Sequence, residues 1–506
     1  MTDKHDIHPT GEATTKRWLF WTLLTIGVLS FVLFFVVPNF VDVPLHVSEK
    51  TTIITEPFYP GSRRLDYYAA LLERFAPPDP HENGFRMIAQ AVGSEPMERA
   101  SGRSWEIICQ QLDLNPNDPP TMPGYGNATA ILEQGDSSAK WYNQLEECAK
   151  DTWTQEQYPH MDAYLNEISP VLDLMGEAVR KKFYFMPQVS RADSSYVFLP
   201  CHASNKYFGQ GLIARTNRSI RDGKPEAAWQ DIDTAMRLGC HLQNGLFRYE
   251  WPLGLFIQSN AVFATERLLE RFELSEEQLR QCIEDVKQFP KKTVTIEDLV
   301  LCQYYSQLSA VDYYSNAPRP ERQELNSDWK LDIPAWSSTI LGFNWNRIAR
   351  IINDYYDQQK RIYRQNLSDV DIERELDQLK KNFEAKYSHG TIPLILSRET
   401  RSEHVAFKFC VSWALPLVAF EKHIKTDQTR QQLLIFAFEL EIEKRNGGKY
   451  PATLDFLSGR YTPEELTDPF SGGTFEYKPN ADGNGYRLST SLEGGQSIAI
   501  RPDDEP

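Results

Sequence analysis

Residues 222–239 read DGKPEAAWQDIDTAMRLG, and their spacing decides how the middle of this 506-residue chain is built. Ala228, Ile232, Ala235, Met236 and Gly239 recur at helical intervals, giving a narrow stripe of mostly small residues that lets a second helix approach closely. Gly223 ends the helix before it, and Pro225 occupies a first turn, where its missing N–H costs nothing. Upstream, Phe208, Leu212 and Ile220 share one helix face; downstream, Leu253, Ile257, Ala261, Ala264 and Leu268 repeat the spacing. The run LSEEQL then announces a fourth helix: Ser275 with Gln278 forms a capping box, and Leu274 with Leu279 the matching hydrophobic staple. Stacked helical hairpins are the expectation.

The quoted stretch resembles the turn and second helix of a tetratricopeptide unit. The resemblance covers one hairpin, and no 34-residue period recurs, so the region reads as repeat-like rather than as an array. Helices are also expected over Leu65 to Phe75 and over Leu367 to Lys386, the latter with Ile372, Leu376, Leu379 and Phe383 on one face and a solvated charged face. The proline-rich segment 114–127 and the segment 316–334 read as loops.

Outward from this helical middle, the N-terminal end carries WLFWTLLTIGVLSFVLFFVV, residues 18–37, without a charge. At about 1.5 Å per residue such a run matches the roughly 30 Å hydrocarbon core of a bilayer, so a transmembrane helix is expected. Lys16 and Arg17 precede it, and the first charges after it are Asp42 and Glu49. The positive-inside rule then places the N-terminus in the cytoplasm and the bulk of the chain beyond the inner membrane. The run FCVSWALPLVAF, residues 409–420, is short, contains Pro416 and reads as core. The expected organisation is a cytoplasmic tail over 1–17, the membrane span over 18–37, an extended tether over 38–64, a helical domain over 65–425 and a terminal α+β module over 426–506.

In that terminal module, Gln431 to Lys444 reads as an apolar helix ended by Gly447 and Gly448. Pro451 opens a short turn packing Leu454 and Leu457, Thr462 and Glu465 form a capping box, and three short strands around Asp482 and Gly483 make an antiparallel meander. The pattern GGKYPATLDFL, TDPFSGGTFEYK, DGNGYRLST resembles the C-terminal half of type II secretion pseudopilins. It also resembles the closing module of single-pass membrane proteins of unknown function from planctomycete-type bacteria. The second resemblance extends to DYYAALLERFAPPDPHENGF, AAWQDIDTAMRLG, LSEEQLRQCIEDV and NWNRIARIINDYYDQ. Glu12 and Lys16 stand where a pseudopilin peptidase site has Phe and Glu, and LEGGQSIAIRPDDEP lacks a convergent oxygen set for calcium, so neither filament assembly nor a calcium loop is expected.

The chain has 54 basic and 70 acidic residues, a formal charge of -16 that argues against nucleic acid as a partner. No GxSxG, HExxH, P-loop or GxGxxG is present, and the S-x-x-K match at Ser137 to Lys140 lacks its companion motifs. The seven cysteines are dispersed. Cys201-His202 and Cys240-His241 are zinc-type ligands, but neighbours on a helix point about 100° apart, so buried thiols or a Cys201 to Cys240 disulfide are the readings kept. No catalytic residue, metal ligand or cofactor is expected. The one polar cluster that invites a partner is NWNRIARIINDYYD, residues 344–357, where Trp345, Arg347, Arg350, Asn353, Asp354 and Tyr356 surround an apolar face of Ile348, Ile351, Ile352 and Tyr355. The expected function is protein interaction or scaffolding in the cell envelope. Its alternatives are an exported hydrolase with a site assembled from distant residues, and a secretion-system component.

Overall fold

The computed structural model describes residues 11–94, 102–122, 138–189, 202–247, 249–322, 339–365, 367–412, 417–490 and 496–500. In chain order the helices are α1 Gly11–Phe31, α2 Val37–Phe40, α3 Tyr67–Phe75, α4 Gly84–Val92, α5 Gly102–Leu112, α6 Ser138–Lys150, α7 Pro159–Ala178, α8 His202–Arg221 and α9 Pro225–Gln243. There follow α10 Glu250–Arg271, α11 Glu276–Lys287, α12 Ile296–Asn316, α13 Trp345–Tyr363, α14 Asp369–Tyr387, α15 Thr391–Leu396, α16 Arg398–Ser412 and α17 Leu417–Gly447. Strands β1 Glu476–Pro479, β2 Tyr486–Ser489 and β3 Ser497–Ile500 form an antiparallel meander in the order β1-β2-β3. The chain divides into two compact units, one of residues 1–70, 191–196 and 303–414, the other of 71–190, 197–302 and 415–506.

In the first unit the N-terminal apolar run is not one uninterrupted α-helix. Among the described residues no helix is long and apolar enough to cross a membrane. The α-helix stops at Phe31, Val32–Val36 is a π turn in which Val37 N–H bonds Val32 O, and α2 follows. Pro38 is the physical reason: it has no N–H and its ring crowds the carbonyl four residues back, which a local shift to the wider register relieves. The segment read as an extended tether is extended but held. Val43 N donates to Phe343 O at 2.8 Å, Trp345 N to Val43 O at 3.1 Å, and Leu65 N to Asp312 Oδ2 at 3.0 Å. Gly342 permits this, since a Cβ there would lie 2.3 Å from Val41 O. Behind the strap, α13 packs on α14 and α16, with Ile372, Leu379 and Phe383 buried as the α14 spacing requires. Phe409 and Cys410 are core residues.

In the second unit the quoted stretch is α9. Gly223 adopts φ +73 after α8, and the α9/α10 hairpin closes where Gly239 meets Gly254. A Cβ on Gly254 would sit 2.5 Å from Gly239 O, closer than any side chain tolerates, so the small-residue stripe is a steric requirement. The capping box of α11 is present in both directions, Gln278 N to Ser275 Oγ at 3.1 Å and Ser275 N to Gln278 Oε1 at 2.7 Å, over buried Leu274 and Leu279. α17 packs on α11 and against β2 and β3. The polar residues of the terminal module fold it: Tyr461 OH donates to buried Glu439 at 2.8 Å, Arg460 joins Glu439 and Glu443, and buried Asp468 accepts from Phe470 N and Ser471 Oγ. Thr462 and Glu465 exchange their bonds around a turn rather than a helix.

Gly254→Ala is expected to destabilise the second unit by about 2 kcal/mol, because overpacking against backbone outweighs the roughly 1 kcal/mol that alanine gains in a helix. Gly459→Ala, where a Cβ meets nothing within 4 Å, should leave the melting temperature nearly unchanged. Thermal denaturation of the two variants checks this.

Candidate functional site

The residues singled out on α13 divide between core and surface. Trp345, Asn353 and Tyr356 are buried; Arg350 and Asp354 are exposed, Asp354 accepting from Gln358 at 3.0 Å. Arg347 is exposed and engages Glu403 and Glu399. Two asparagines of the helix are taken up by the chain itself. Asn353 Nδ2 donates to Lys50 O and Thr51 O at 3.1 and 3.2 Å, while its Oδ1 accepts from Tyr304 OH at 2.7 Å. Neighbouring Asn346 accepts from His46 N and donates to Pro44 O, both at 2.7 Å. Among the described residues no group of three His, Cys, Asp or Glu side chains is placed to hold a metal ion. Ser137 and Cys201 lie outside the described residues, as does the stretch 501–506. The six other cysteines are buried free thiols.

Cys240 and His241 face different surroundings, as adjacent helical residues must. Cys240 points at Asp427, whose Oδ1 takes a 2.6 Å bond from Gln258 and whose Oδ2 takes a 3.1 Å bond from Gln431. Burial raises the Asp427 pKa, and the Gln258 and Gln243 amides together with Arg430 and Lys292 oppose the rise. His241 instead faces a cleft of about 470 Å³ in the second unit.

Five separated segments build that cleft: the end of α3 with Arg74 and Phe75, the extended run Lys182 to Gln188, the loop from His241 to Glu250, residues 290–294, and Asp298 at the start of α12. Asn83 fixes the wall. Its Oδ1 accepts from Phe185 N at 2.8 Å and from Phe85 N at 3.1 Å, capping α4, and its Nδ2 donates to Phe185 O at 2.8 Å. One buried side chain thereby pins the run that carries Phe183, Tyr184 and Phe185. Asn244 does the same opposite, accepting from Thr293 N at 2.7 Å and donating to Lys291 O at 3.2 Å. Tyr184 stacks at 5.8 Å from the His241 ring and donates to Asn205 at 2.8 Å.

The electrostatics are uneven. Lys182 and Lys291 are exposed at the rim, Lys182 lying over the Phe183 ring, and Arg74 pairs with Asp298 at 2.8 Å. Two further groups of the lining, Glu250 and His241, are kept neutral near pH 7. Burial pushes Glu250 up to about 8, against bonds from Phe247 and Leu246 N–H, and burial pushes His241 down to about 4, against its bond to Val179 O. The sequence reading missed this site because its parts lie far apart along the chain. One signal was available: the run KKFYF, residues 181–185, sets two bases directly before three aromatics just after a helix.

Two outcomes follow from these placements. Asn83→Ala removes three hydrogen bonds around a buried position and is expected to cost about 2–3 kcal/mol, with the 183–185 amides losing hydrogen-exchange protection first. Glu250 has a folded pKa of about 8 against an ordinary 4.5, so the stabilisation from its protonation is complete below 4.5 and lost as pH rises through about 8. Wild type should therefore lose stability across that window relative to Glu250→Gln. His241, depressed to about 4, titrates in the opposite sense at lower pH and is common to both proteins.

Comparison with family models, with curated proteins and with solved structures finds no match to this chain. Its function is read from the cleft and from the apolar N-terminal run.

Proposed function

We propose that the chain is a membrane-anchored protein of the cell envelope that binds a partner protein through the cleft of its second unit. The observation that carries the reading is the local inversion of charge. In a chain of net charge -16, Lys182 and Lys291 stand beside an aromatic wall, while Arg74 is paired with Asp298 and Glu250 is held neutral. Such a surface attracts an extended segment that carries acidic groups beside aromatic or apolar ones. A hydrolase is the second reading, favoured by Glu250 and His241 sharing the lining. It is the weaker one, because both groups already have backbone partners.

The anchor is residues 11–40 taken together. α1, the π turn and α2 follow one another without a gap, so the run is helical throughout although no single piece is a span. Trp18, Phe20, Trp21, Leu23, Leu29 and Leu33 are exposed to whatever surrounds the helix. Two of its hydroxyls are satisfied within the helix, Thr22 Oγ1 donating to Trp18 O at 2.9 Å and Thr25 Oγ1 to Trp21 O at 2.8 Å, as a lipid environment demands. Lys16 and Arg17 at the start support a cytoplasmic N-terminus.

Two experiments test the two halves. Full-length protein in detergent, screened on immobilised peptides, should enrich sequences pairing Asp or Glu with Phe, Tyr or Trp, and Lys182→Glu/Lys291→Glu should weaken the best of them by about tenfold or more. Enrichment indifferent to that charge reversal rules out the cleft. Protease added to spheroplasts should digest everything beyond the anchor; a large fragment left intact overturns the placement.

A further inference from the structure

The first unit carries an apolar surface that its own fold does not use. On α15, Ile392 and Leu396 stand four residues apart on one face and are 71% and 66% exposed, while Leu394 on the other face is 1% exposed and packed. Ile340, Phe40 and Val41 are exposed as well. These residues form one locality, because Asn39 binds all three strands of it. Its Nδ2 donates to Leu396 O at 2.7 Å, its Oδ1 accepts from Arg398 N at 2.7 Å, and its carbonyl accepts from Gly342 N at 2.8 Å and Arg401 Nη2 at 3.1 Å. Arg319 joins Ile340 O to Phe40 O, at 3.0 and 2.6 Å. Between them lies a groove of about 660 Å³ lined by Phe31, Val36, Pro38, Phe40, Leu341 and Ile395, with Arg398 and Glu399 at its edge.

The position of this surface identifies what covers it. From Arg17 to Phe40 is 23 residues, roughly 34 Å of helix, close to the ~30 Å hydrocarbon thickness. If Arg17 lies at the cytoplasmic face, Asn39 and its neighbours lie at the opposite interface. We propose that the first unit rests on the outer face of the same bilayer, with Ile392, Leu396 and Ile340 inserted among the lipids and the groove beside Pro38 taking a phospholipid acyl chain. The fit is chemical: an apolar groove open alongside an apolar helix, bordered by a guanidinium and hydrogen-bonding side chains at headgroup depth. The proposal rests on the anchor reading above, and its test separates the two.

Full-length protein in vesicles of phosphatidylethanolamine and phosphatidylglycerol is made with benzoylphenylalanine at Leu396, at Ile392, at Leu24 within the anchor, or at Val370, which is exposed on α14. After irradiation, mass spectrometry reads phospholipid adducts. The expected result is adducts at Leu396, Ile392 and Leu24 and none at Val370. Introducing Ile392→Asp should lower the Leu396 adduct about tenfold, and because Ile392 is exposed the fold is retained. Adducts at Leu24 with none at Leu396 and Ile392, or with protein adducts only at those two, overturn the surface proposal and leave the anchor standing. No adduct at Leu24 removes the anchor and the proposal together.

Discussion

A single buried guanidinium holds the first unit to its apolar run. Arg401 is fully buried and lies over the Phe343 ring, and among the described residues no carboxylate accepts a hydrogen bond from it, Asp42 acting only through its charge. Its donors go to backbone carbonyls: Leu394 O at 2.6 Å, Asn39 O at 3.1 Å and Gly342 O, the last from both Nε and Nη2. Burial lowers its pKa to about 10, which leaves it charged at neutral pH. A buried charge without this satisfaction would cost several kcal/mol. These carbonyls belong to the end of α2, to Gly342 three residues ahead of α13, and to α15, so satisfying one side chain fixes the relative position of the three segments. The guanidinium suits this because its planar fork reaches several acceptors at once, which a lysine ammonium does not do with the same geometry.

The second unit depends on a different constraint, the removal of side chains. Gly239 and Gly254 let α9 and α10 approach until backbone nearly touches backbone, and Gly209 on α8 leaves room for the Ile257 side chain. Bringing these axes together positions the end of α9 and the start of α10, the two elements that present His241 and Glu250 to the cleft. Gly245 extends the same logic to the loop, where a Cβ would meet the Glu250 carboxyl at 2.3 Å. The cleft is a consequence of how tightly its hairpin closes, and its width is therefore set by residues that never touch a ligand.

Local patterns were legible from the sequence wherever one element carried its own signal. The Ser275 capping box, the Gly223 turn, the α9 stripe and the three-stranded meander could be read because their partners lie within a few residues. What escaped the reading was set by long-range contact. Nothing in Asn353 itself announces that its amide will bind residues 50 and 51, and the Asn344 to Asp357 cluster looked outward because its intrachain occupant lies about three hundred positions earlier in the chain. The π turn is hidden for the opposite reason: Pro38 lies one residue beyond the apolar run 18–37, while its effect reaches a full turn back into it. Asn83 and Asn244, which fix the cleft walls, carry no distinguishing pattern at all.

The balance between binding and catalysis at the cleft turns on what its two neutral groups are free to do. An acid held near 8 and a histidine held near 4 are the inverse of the arrangement that makes a charged nucleophile or base at neutral pH. Glu250 is protonated but bonded to the turn ahead of α10, and His241 Nε2, bonded to Val179 O, must carry the proton on that nitrogen. Both are shifted by burial first, with no opposite charge driving either, which is the signature of groups enclosed by packing. Removing their charge has an electrostatic consequence that catalysis does not need and recognition does. With Glu250 neutral, Asp298 is the cleft's remaining buried acid and it is already paired with Arg74, so the field reaching an incoming segment is that of Lys182 and Lys291. A net-negative protein thereby presents a positive, aromatic-walled opening, and the burial that neutralises its glutamate contributes to that sign.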